Sequence, residues 1–172
     1  MSRRTVQPTT ASPAGSVTRY GESIFDDKPH DPYQLNGKYK EPTVCLECNA
    51  VFHGGRWQWA GAPQGAHKAR CPACRRIHDK LPAGTATLTG AFFDEHREEV
   101  LALVRHVAAR EQEEHPLHRI MQIEETPNGV SVSTTDIHSP QRIAEALEHA
   151  YRGDFKVSYG HDEYTVRVEW QR

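Results

Sequence analysis

The sequence lacks a long apolar segment, an apolar leader and a large set of cysteines. No apolar run approaches the about 18 residues that a membrane-spanning helix needs, so we expect no transmembrane segment. The first 15 residues, MSRRTVQPTTASPAG, contain basic side chains but no apolar core, which argues against a secretory signal. We therefore expect a cytoplasmic protein, in which the four cysteines are reduced or bound to metal rather than paired as disulfides.

Motifs for common enzyme chemistry are also missing. The sequence contains no Gly-x-Gly-x-x-Gly loop, no phosphate-binding loop, no Gly-x-Ser-x-Gly elbow and no His-Glu-x-x-His motif. The 11 histidines, among them His115, His118 and His138, are interpreted as exposed or capping residues rather than a second metal site. We predict a protein without enzymatic activity, although an enzyme of unrecognised type stays open.

Positive charge is concentrated in one part of a chain whose formal net charge is −2. Residues 38–80 carry eight basic and three acidic side chains, a net charge of +5. Residues 81–115 and 116–172 have net charges of −4 and −3. A polyanion would therefore meet the middle of the chain.

Residues 1–37 are typical of a tail, because Ser, Thr, Pro and Gly dominate the first 16 residues and the apolar residues show no period. We predict that this segment is disordered. The alternative is an arm that orders on a partner, which would use Arg3, Arg4, Arg19, Tyr20 and Tyr33.

Two Cys-x-x-Cys pairs, CLEC at 45–48 and CPAC at 71–74, form the strongest functional pattern in the sequence. Each pair presents two sulfurs to one ion, and two pairs make the tetrahedral four-sulfur site that zinc accepts. We predict a zinc ribbon over residues 38–90 with one structural Zn²⁺, whose ligands are Cys45, Cys48, Cys71 and Cys74. A redox pair and a rubredoxin-like iron site are the alternatives, whereas a catalytic zinc is not expected because four thiolates leave no open position.

Basic and aromatic side chains surround the cysteines and favour RNA as the ligand. Basic side chains contact phosphates, and exposed aromatic rings stack on bases. The candidate RNA-binding residues are Lys38, Lys40, Arg56, Trp57, Trp59, Lys68, Arg70, Arg75, Arg76 and Lys80. The alternatives are a solvated basic face for the cations and, for at least one of the tryptophans, a place in the core of the ribbon.

Residues 91–172 predict an α+β domain in the order helix, hairpin, helix, hairpin. Apolar side chains between Phe93 and Val107 follow a 3.6-residue period, which predicts a helix over 91–114. Asn128-Gly129 between alternating residues predicts a hairpin with a type I′ turn.

The second half of this domain is predicted to form a helix followed by a hairpin. Ser139 and Pro140 predict a helix that starts with a capping hydroxyl and a proline in its first turn. Alternation from Phe155 to Trp170 predicts the second hairpin. We expect a small ββαββ sheet with helices on one face. The uncharged segment 81–90, LPAGTATLTG, is interpreted as a strand or a hinge.

The stretches EPTVCLECNAVFHGGRWQW, CPACRRIHDKLPAG and TTDIHSPQRIAEALEHAYRG resemble a family of short bacterial zinc-ribbon proteins, over most of the chain from Asp31 onward. The zinc module and the following strand, Thr-Thr-Asp and helix segment are more distantly similar to the N-terminal part of the large-ribosomal-subunit export adaptor family. That family binds the large subunit and contacts ribosomal RNA through its zinc domain. The resemblance implies zinc ligands in a ribosome-facing lobe. This chain has fewer Cys-x-x-Cys pairs and lacks the family's additional domains, so export is not implied.

We therefore expect a zinc-ribbon RNA-binding protein that docks on the ribosome or its RNA, as a maturation, quality-control or hibernation factor. The acidic C-terminal lobe would contact a basic ribosomal protein or limit indiscriminate RNA binding. The alternative is a zinc-dependent protein–protein adaptor, such as a transcription accessory factor. An electron carrier with iron at the four cysteines is the third hypothesis.

Overall fold

The structure, a computed structural model, describes residues 31–33, 39–161 and 163–172. The first sheet is built from four short strands and is followed by a helix. These elements are β1 (Thr43–Cys45), β2 (Val51–His53), β3 (Arg56–Gln58), β4 (His67–Ala69) and α1 (Pro72–Asp79). The strand order is β3-β2-β1-β4, in which β1 and β4 run parallel and the other pairs run antiparallel.

Two glycines close the β2–β3 hairpin of this sheet. Gly54 and Gly55 have φ values of 60° and 77°, a left-handed conformation that side chains with a Cβ rarely adopt. Their backbone N–H groups donate to the Glu41 carboxylate over 2.7 and 3.0 Å. The carboxylate therefore fixes the turn that carries Arg56 at the start of β3.

An aromatic cluster forms the apolar core of the ribbon. The rings of Tyr39, Phe52 and Trp57 lie with their centroids 5.0–5.6 Å apart. Cys45, Ala50, Cys71 and Cys74 belong to the same buried cluster. The ribbon thus has a small core in which the cysteines are a large part of the buried side chains.

A five-stranded sheet and three helices form the rest of the described chain. The strands are β5 (Gly84–Thr89), β6 (Ile120–Thr126), β7 (Gly129–Thr134), β8 (Asp154–Tyr159) and β9 (Val166–Gln171), in the order β6-β7-β5-β9-β8. The helices are α2 (Ala91–Glu95), α3 (Arg97–Glu114) and α4 (Ser139–Tyr151). None of these helices, nor α1, has the length and apolar character needed to cross a membrane.

Pairing register places the apolar side chains of this sheet on one face. Leu88 of β5 lies between Val130 of β7 and Trp170 of β9, and all three are fully buried. Side chains of α3 and α4, among them Val104 and Leu147, complete the same core. Burying side chains of this size contributes about 1.5–3 kcal/mol each, so this core holds helices and sheet together.

The α+β class and the order of helices and hairpins after residue 90 are confirmed, and of the two interpretations of segment 81–90 the strand is correct, as β5. Residues 84–89 lie within the segment assigned to the ribbon, 38–90, but form the central strand of the second sheet. The predicted helix over 91–114 is divided at His96, where the backbone leaves the helical conformation. At the start of α2, the N–H of Phe92 donates to the carbonyl of Arg172, which ties this short helix to the end of β9.

Two local predictions are wrong in detail, one at a hairpin turn and one at the start of a helix. Thr126 pairs with Gly129 across the first hairpin, so the two-residue turn is Pro127-Asn128. A Cβ on Gly129 would collide with the carbonyl oxygen of Leu88, which explains the glycine without a type I′ turn. At α4, Ser139 is the first helical residue, and its hydroxyl donates to Asp136 over 2.6 Å rather than capping the helix itself.

The predicted disordered segment, residues 1–37, lies outside the described residues apart from Asp31, Pro32 and Tyr33. Within this described part, Tyr33 is only 7% exposed. Its hydroxyl donates to the Asp79 carboxylate over 2.9 Å, and Asp31 pairs with Arg76. These contacts hold residues 31–33 against α1.

Candidate metal centre

The structure brings the four cysteines together at one end of the ribbon. Their sulfur atoms all lie within 4.8 Å of one another. Cys45, Cys71 and Cys74 are buried, and Cys48 is half-buried. The predicted ligand set therefore has the placement needed to hold a metal ion.

The first pair of cysteines sits in a tight turn that follows β1. The N–H of Cys45 donates to the carbonyl of Ala50 over 2.8 Å, and the N–H of Asn49 donates back to the carbonyl of Cys45 over 3.1 Å. Asn49 has a φ of 62°, a conformation that asparagine tolerates better than most residues. The turn thus directs both sulfurs of this pair toward one point.

The second pair occupies the start of α1. Cys71 is the N-cap residue, and its sulfur accepts from the N–H of Cys74 over 3.4 Å. Pro72 stands in the first turn, where its missing N–H costs nothing. The parallel pairing of β4 with β1 places this pair beside the first, and the Cys71 N–H donates to the Cys45 sulfur over 3.3 Å.

The distances and the chemistry of the donors fit a tetrahedral ion. Zinc–sulfur bonds of about 2.3 Å require sulfurs about 3.8 Å apart in a tetrahedron. The Cys48 and Cys71 sulfurs are 3.7 Å apart. The four sulfurs all lie within 4.8 Å of one another, and four thiolates around one zinc ion form a closed site that has no position for a substrate.

The thiols influence each other's ionisation. A hydrogen bond from Cys71 is the main cause that lowers the pKa of Cys48, to about 4. The same hydrogen bond, followed by burial, raises the pKa of Cys71, and burial raises the pKa of Cys74 to about 11. Negative charge in the cluster is therefore favoured first on the half-buried Cys48 sulfur.

Arg119 also belongs to this site, although it was not among the residues predicted from the sequence. Its guanidinium donates to the Cys74 sulfur over 3.3 Å and to the Cys71 sulfur over 3.8 Å. Burial lowers the pKa of Arg119, but hydrogen bonds to Cys74 and Cys48 outweigh it and raise the pKa overall. A permanent positive charge from outside the ribbon thus faces the thiolates. Arg119 lies 45 residues after Cys74 in no recognisable motif, so no pattern in the sequence indicated it.

Trp59 adds a second contact between the ribbon (β1–β4 and α1) and the helical lobe, which comprises β5–β9 and α2–α4. Its indole N–H donates to the carbonyl of Gln112 near the end of α3 over 2.7 Å. The Arg119 guanidinium lies 6.0 Å from the centre of the Trp59 ring, at the outer limit for a cation–π contact. The four cysteines therefore lie next to the contact between the ribbon and the second lobe.

Two of the predicted RNA-binding residues are buried, and their assignment is corrected. Trp57 is 9% exposed and belongs to the aromatic core, as the alternative interpretation allowed. Arg76 is 3% exposed, pairs with Asp31 over 2.5 Å and donates to the carbonyl of Leu81. Its guanidinium also lies 4.4 Å from the Tyr33 ring centre. Neither side chain faces a solvent-borne ligand.

The other predicted residues differ in their accessibility. Lys40, Arg56, Lys68 and Lys80 are exposed, whereas Lys38 lies outside the described residues. Two more are engaged with neighbouring side chains: Arg70 pairs with Glu47 over 2.6 Å, and the Arg75 guanidinium lies 5.5 Å from the Tyr33 ring centre. Trp59 is 42% exposed.

Arg56 and Lys68 share one face of the first sheet. Lys68 pairs with Val44, and Val44 pairs with Val51, so these three side chains lie on one face. Arg56 pairs with His53, which lies two residues after Val51 and therefore on the same face. Because side chains alternate along strands, this register places both cations opposite the face that carries the aromatic core. The predicted basic patch thus reduces to two exposed cations at the edges of a sheet face whose centre, at Val51, is buried.

Comparison with models of protein families gives no match for this chain. Comparison with curated protein sequences gives no match either. The chemistry of the site therefore rests on the four sulfurs and the residues around them.

Proposed function

We propose that the four cysteines hold one structural Zn²⁺ and that the ribbon around it binds rather than catalyses. Four thiolates complete the coordination of zinc, so the ion stabilises the fold and offers no position to a substrate. The aromatic core of the ribbon is small, and structural zinc contributes about 10–16 kcal/mol in small finger peptides. Zinc is therefore expected to supply stability that the small apolar core of the ribbon does not provide.

We infer that the ligand of the ribbon is RNA. The observation that carries this proposal is the sheet face with Arg56 and Lys68 exposed at its edges, within a segment of net charge +5. Lysine and arginine on a rigid surface neutralise phosphates and release counterions. Lys40 and Lys80 are exposed elsewhere on the ribbon and would extend the contact.

Ribosomal RNA is our choice among RNAs, and it rests on the family resemblance described above. The chain would dock on the ribosome or on a large subunit in the cytoplasm. Residues 81–172, with their excess of acidic side chains, would face a basic ribosomal protein or keep the chain from binding RNA indiscriminately.

The test compares the wild type with the double variant Arg56→Glu/Lys68→Glu in sucrose gradients and in RNA binding at several salt concentrations. Replacing two phosphate contacts should reduce the log–log salt slope by about 1.4 on single strands, about 0.7 for each contact. The matched control is Arg142→Glu/Lys156→Glu, which reverses two exposed charges in the other lobe.

The gradients decide the ribosomal part of the proposal. Wild type and control should sediment with ribosomes, and the ribbon variant should stay at the top of the gradient. If all three proteins stay at the top, ribosome docking is wrong. If the salt slope is the same for the ribbon variant and the wild type, this face does not bind phosphates.

A protein–protein adaptor is the second candidate, and exposed apolar side chains on the ribbon favour it. Leu46 in the first cysteine turn is 63% exposed, Ile77 on α1 is 40% exposed and Leu81 is 56% exposed. An adaptor contact through these residues would survive charge reversal at Arg56 and Lys68 and would depend only weakly on salt. Loss of a partner in Leu46→Ser, with RNA binding unchanged, would favour this function.

Iron at the four cysteines is the competing metal, and it would indicate an electron carrier. Iron–thiolate centres are coloured, whereas a zinc centre has no d–d transitions. A colourless preparation with one zinc per chain, from cells grown with iron available, excludes this hypothesis. The same preparation excludes a redox Cys-x-x-Cys pair if no disulfide forms on mild oxidation.

A further inference from the structure

A second group of metal-ligating side chains lies at the C-terminal end of α3, outside the four-cysteine centre. Ligand atoms of Glu111, His115 and His118 all lie within 4.8 Å of one another. Glu111 and His115 are four residues apart at the end of the helix and therefore lie on the same side of it. His118 returns to them after the turn that contains Pro116. From the sequence, these histidines were expected to be exposed or capping residues.

We propose that Glu111, His115 and His118 form a second metal site, which binds one exchangeable divalent transition-metal ion such as Zn²⁺ or Co²⁺. Two imidazoles and a carboxylate are the ligand set of open zinc sites and of non-haem iron sites. The His118 Nδ1 atom is 3.3 Å from Glu111 Oε2. Metal–ligand bonds of about 2.0–2.1 Å place neighbouring ligand atoms about 3 Å apart, so these two are close to their bound spacing.

A carboxylate also lies near the second ring nitrogen of His118. Its other ring nitrogen, Nε2, is 3.9 Å from the Asp136 carboxylate on the approach to α4. A histidine that binds metal through one nitrogen commonly donates its second N–H to a carboxylate, which orients the ring. At 3.9 Å this pair is too long for a hydrogen bond, so the ring must move closer to Asp136 before the carboxylate can orient it. Asp136 is itself held in place, because it accepts from the N–H groups of His138 and Ser139, each over 2.8 Å.

The surroundings favour a cation and leave the site open. The C-terminal turn of α3 carries the negative end of the helix dipole, which attracts positive charge. His115 is exposed, and its ring centre is 4.6 Å from that of His118. Three protein ligands leave coordination positions for water or another ligand, unlike the four thiolates. The ion is therefore expected to exchange with solution.

The experiment titrates Co²⁺ into the full-length chain, without an affinity tag and with the cysteine centre filled by one zinc. Cobalt at the histidine site should give weak d–d absorption without the strong sulfur-to-cobalt charge-transfer band that a thiolate site gives. We expect one further equivalent to bind. Loss of a residue that only supports a metal ligand lowers metal affinity about 10–100-fold. Because His115 and Glu111 would be ligands themselves, His115→Ala and Glu111→Gln should each weaken cobalt binding by more than this.

The matched control is His106→Ala, which removes an exposed histidine of the same helix. It should bind cobalt as the wild type does, and circular dichroism should show all variants folded. The proposal is overturned if the wild type binds no further equivalent, if His115→Ala and Glu111→Gln bind as tightly as the wild type, or if His106→Ala loses binding equally. It does not rest on RNA binding, and failure of that function leaves this result unchanged.

Discussion

Replacing Arg119 by methionine tests whether the helical lobe contributes to the metal centre. The change removes a guanidinium that donates to the sulfurs of Cys74 and Cys71 over 3.3 and 3.8 Å. It also removes a hydrogen bond of 2.7 Å from Nε to the carbonyl of Pro116. Methionine keeps an unbranched apolar stem beside Trp59, so packing changes less than it would with alanine.

The magnitude follows from the charge at the site. Four thiolates and one Zn²⁺ have a net charge of −2, and the half-buried Arg119 guanidinium reduces it to −1. Loss of an outer-shell partner of this kind lowers metal affinity about 10–100-fold, which is about 1.4–2.7 kcal/mol. The Arg119→Lys variant should fall between wild type and methionine, because an ammonium is a point charge and lacks the fork that reaches two sulfurs.

The assay is competition for zinc with a coloured chelator, measured as both an equilibrium and a rate of release. Arg105→Met, which removes an exposed arginine from α3, is the control and should equal the wild type. If Arg119→Met holds and releases zinc as the wild type does, the guanidinium does not stabilise the bound metal, and the reasoning from the two sulfur contacts fails.

Three further predictions concern stability. Asp31→Ala leaves the buried Arg76 without its carboxylate and should cost about 3–5 kcal/mol in urea unfolding; a cost below 1 kcal/mol would contradict the buried pair. Trp57→Ala should lower the free energy of unfolding in urea by about 3–5 kcal/mol, because Trp57 is buried. Trp59→Ala should lower it by about 1 kcal/mol, because the exposed Trp59 loses one hydrogen bond. Equal losses for the two variants would contradict their different burial. Removing the metal with a chelator should abolish amide protection in β1–β4 while β5 keeps it, because the second core contains no cysteine; simultaneous loss in both would show one cooperative unit.

Local patterns in the sequence were sufficient for much of the architecture. The two Cys-x-x-Cys pairs indicated which four side chains the fold brings close enough to hold a metal ion, since this pattern lies in four residues of one type at fixed spacing. Alternation and helical period indicated the two hairpins and the helices after residue 90, because one buried face imposes its period on each element.

Long-range pairing explains most of what the sequence did not reveal. The segment 84–89 became the central strand through pairing with β7 and β9, whose residues lie 40 or more positions away along the chain. Arg76 looked like a surface cation beside Cys74, but its partner Asp31 is 45 residues away. Arg119 reaches the sulfurs only because the two lobes meet. Such contacts depend on the folded topology, which local spacing does not encode.

The most direct test of the central claim is X-ray absorption spectroscopy of the full-length chain purified with one equivalent of metal. We predict a zinc edge with four sulfur neighbours at about 2.3 Å. The four-cysteine variant, with each cysteine replaced by serine, should lose this signature. An iron edge, or neighbours that are mainly nitrogen and oxygen, would contradict a four-thiolate zinc centre at Cys45, Cys48, Cys71 and Cys74.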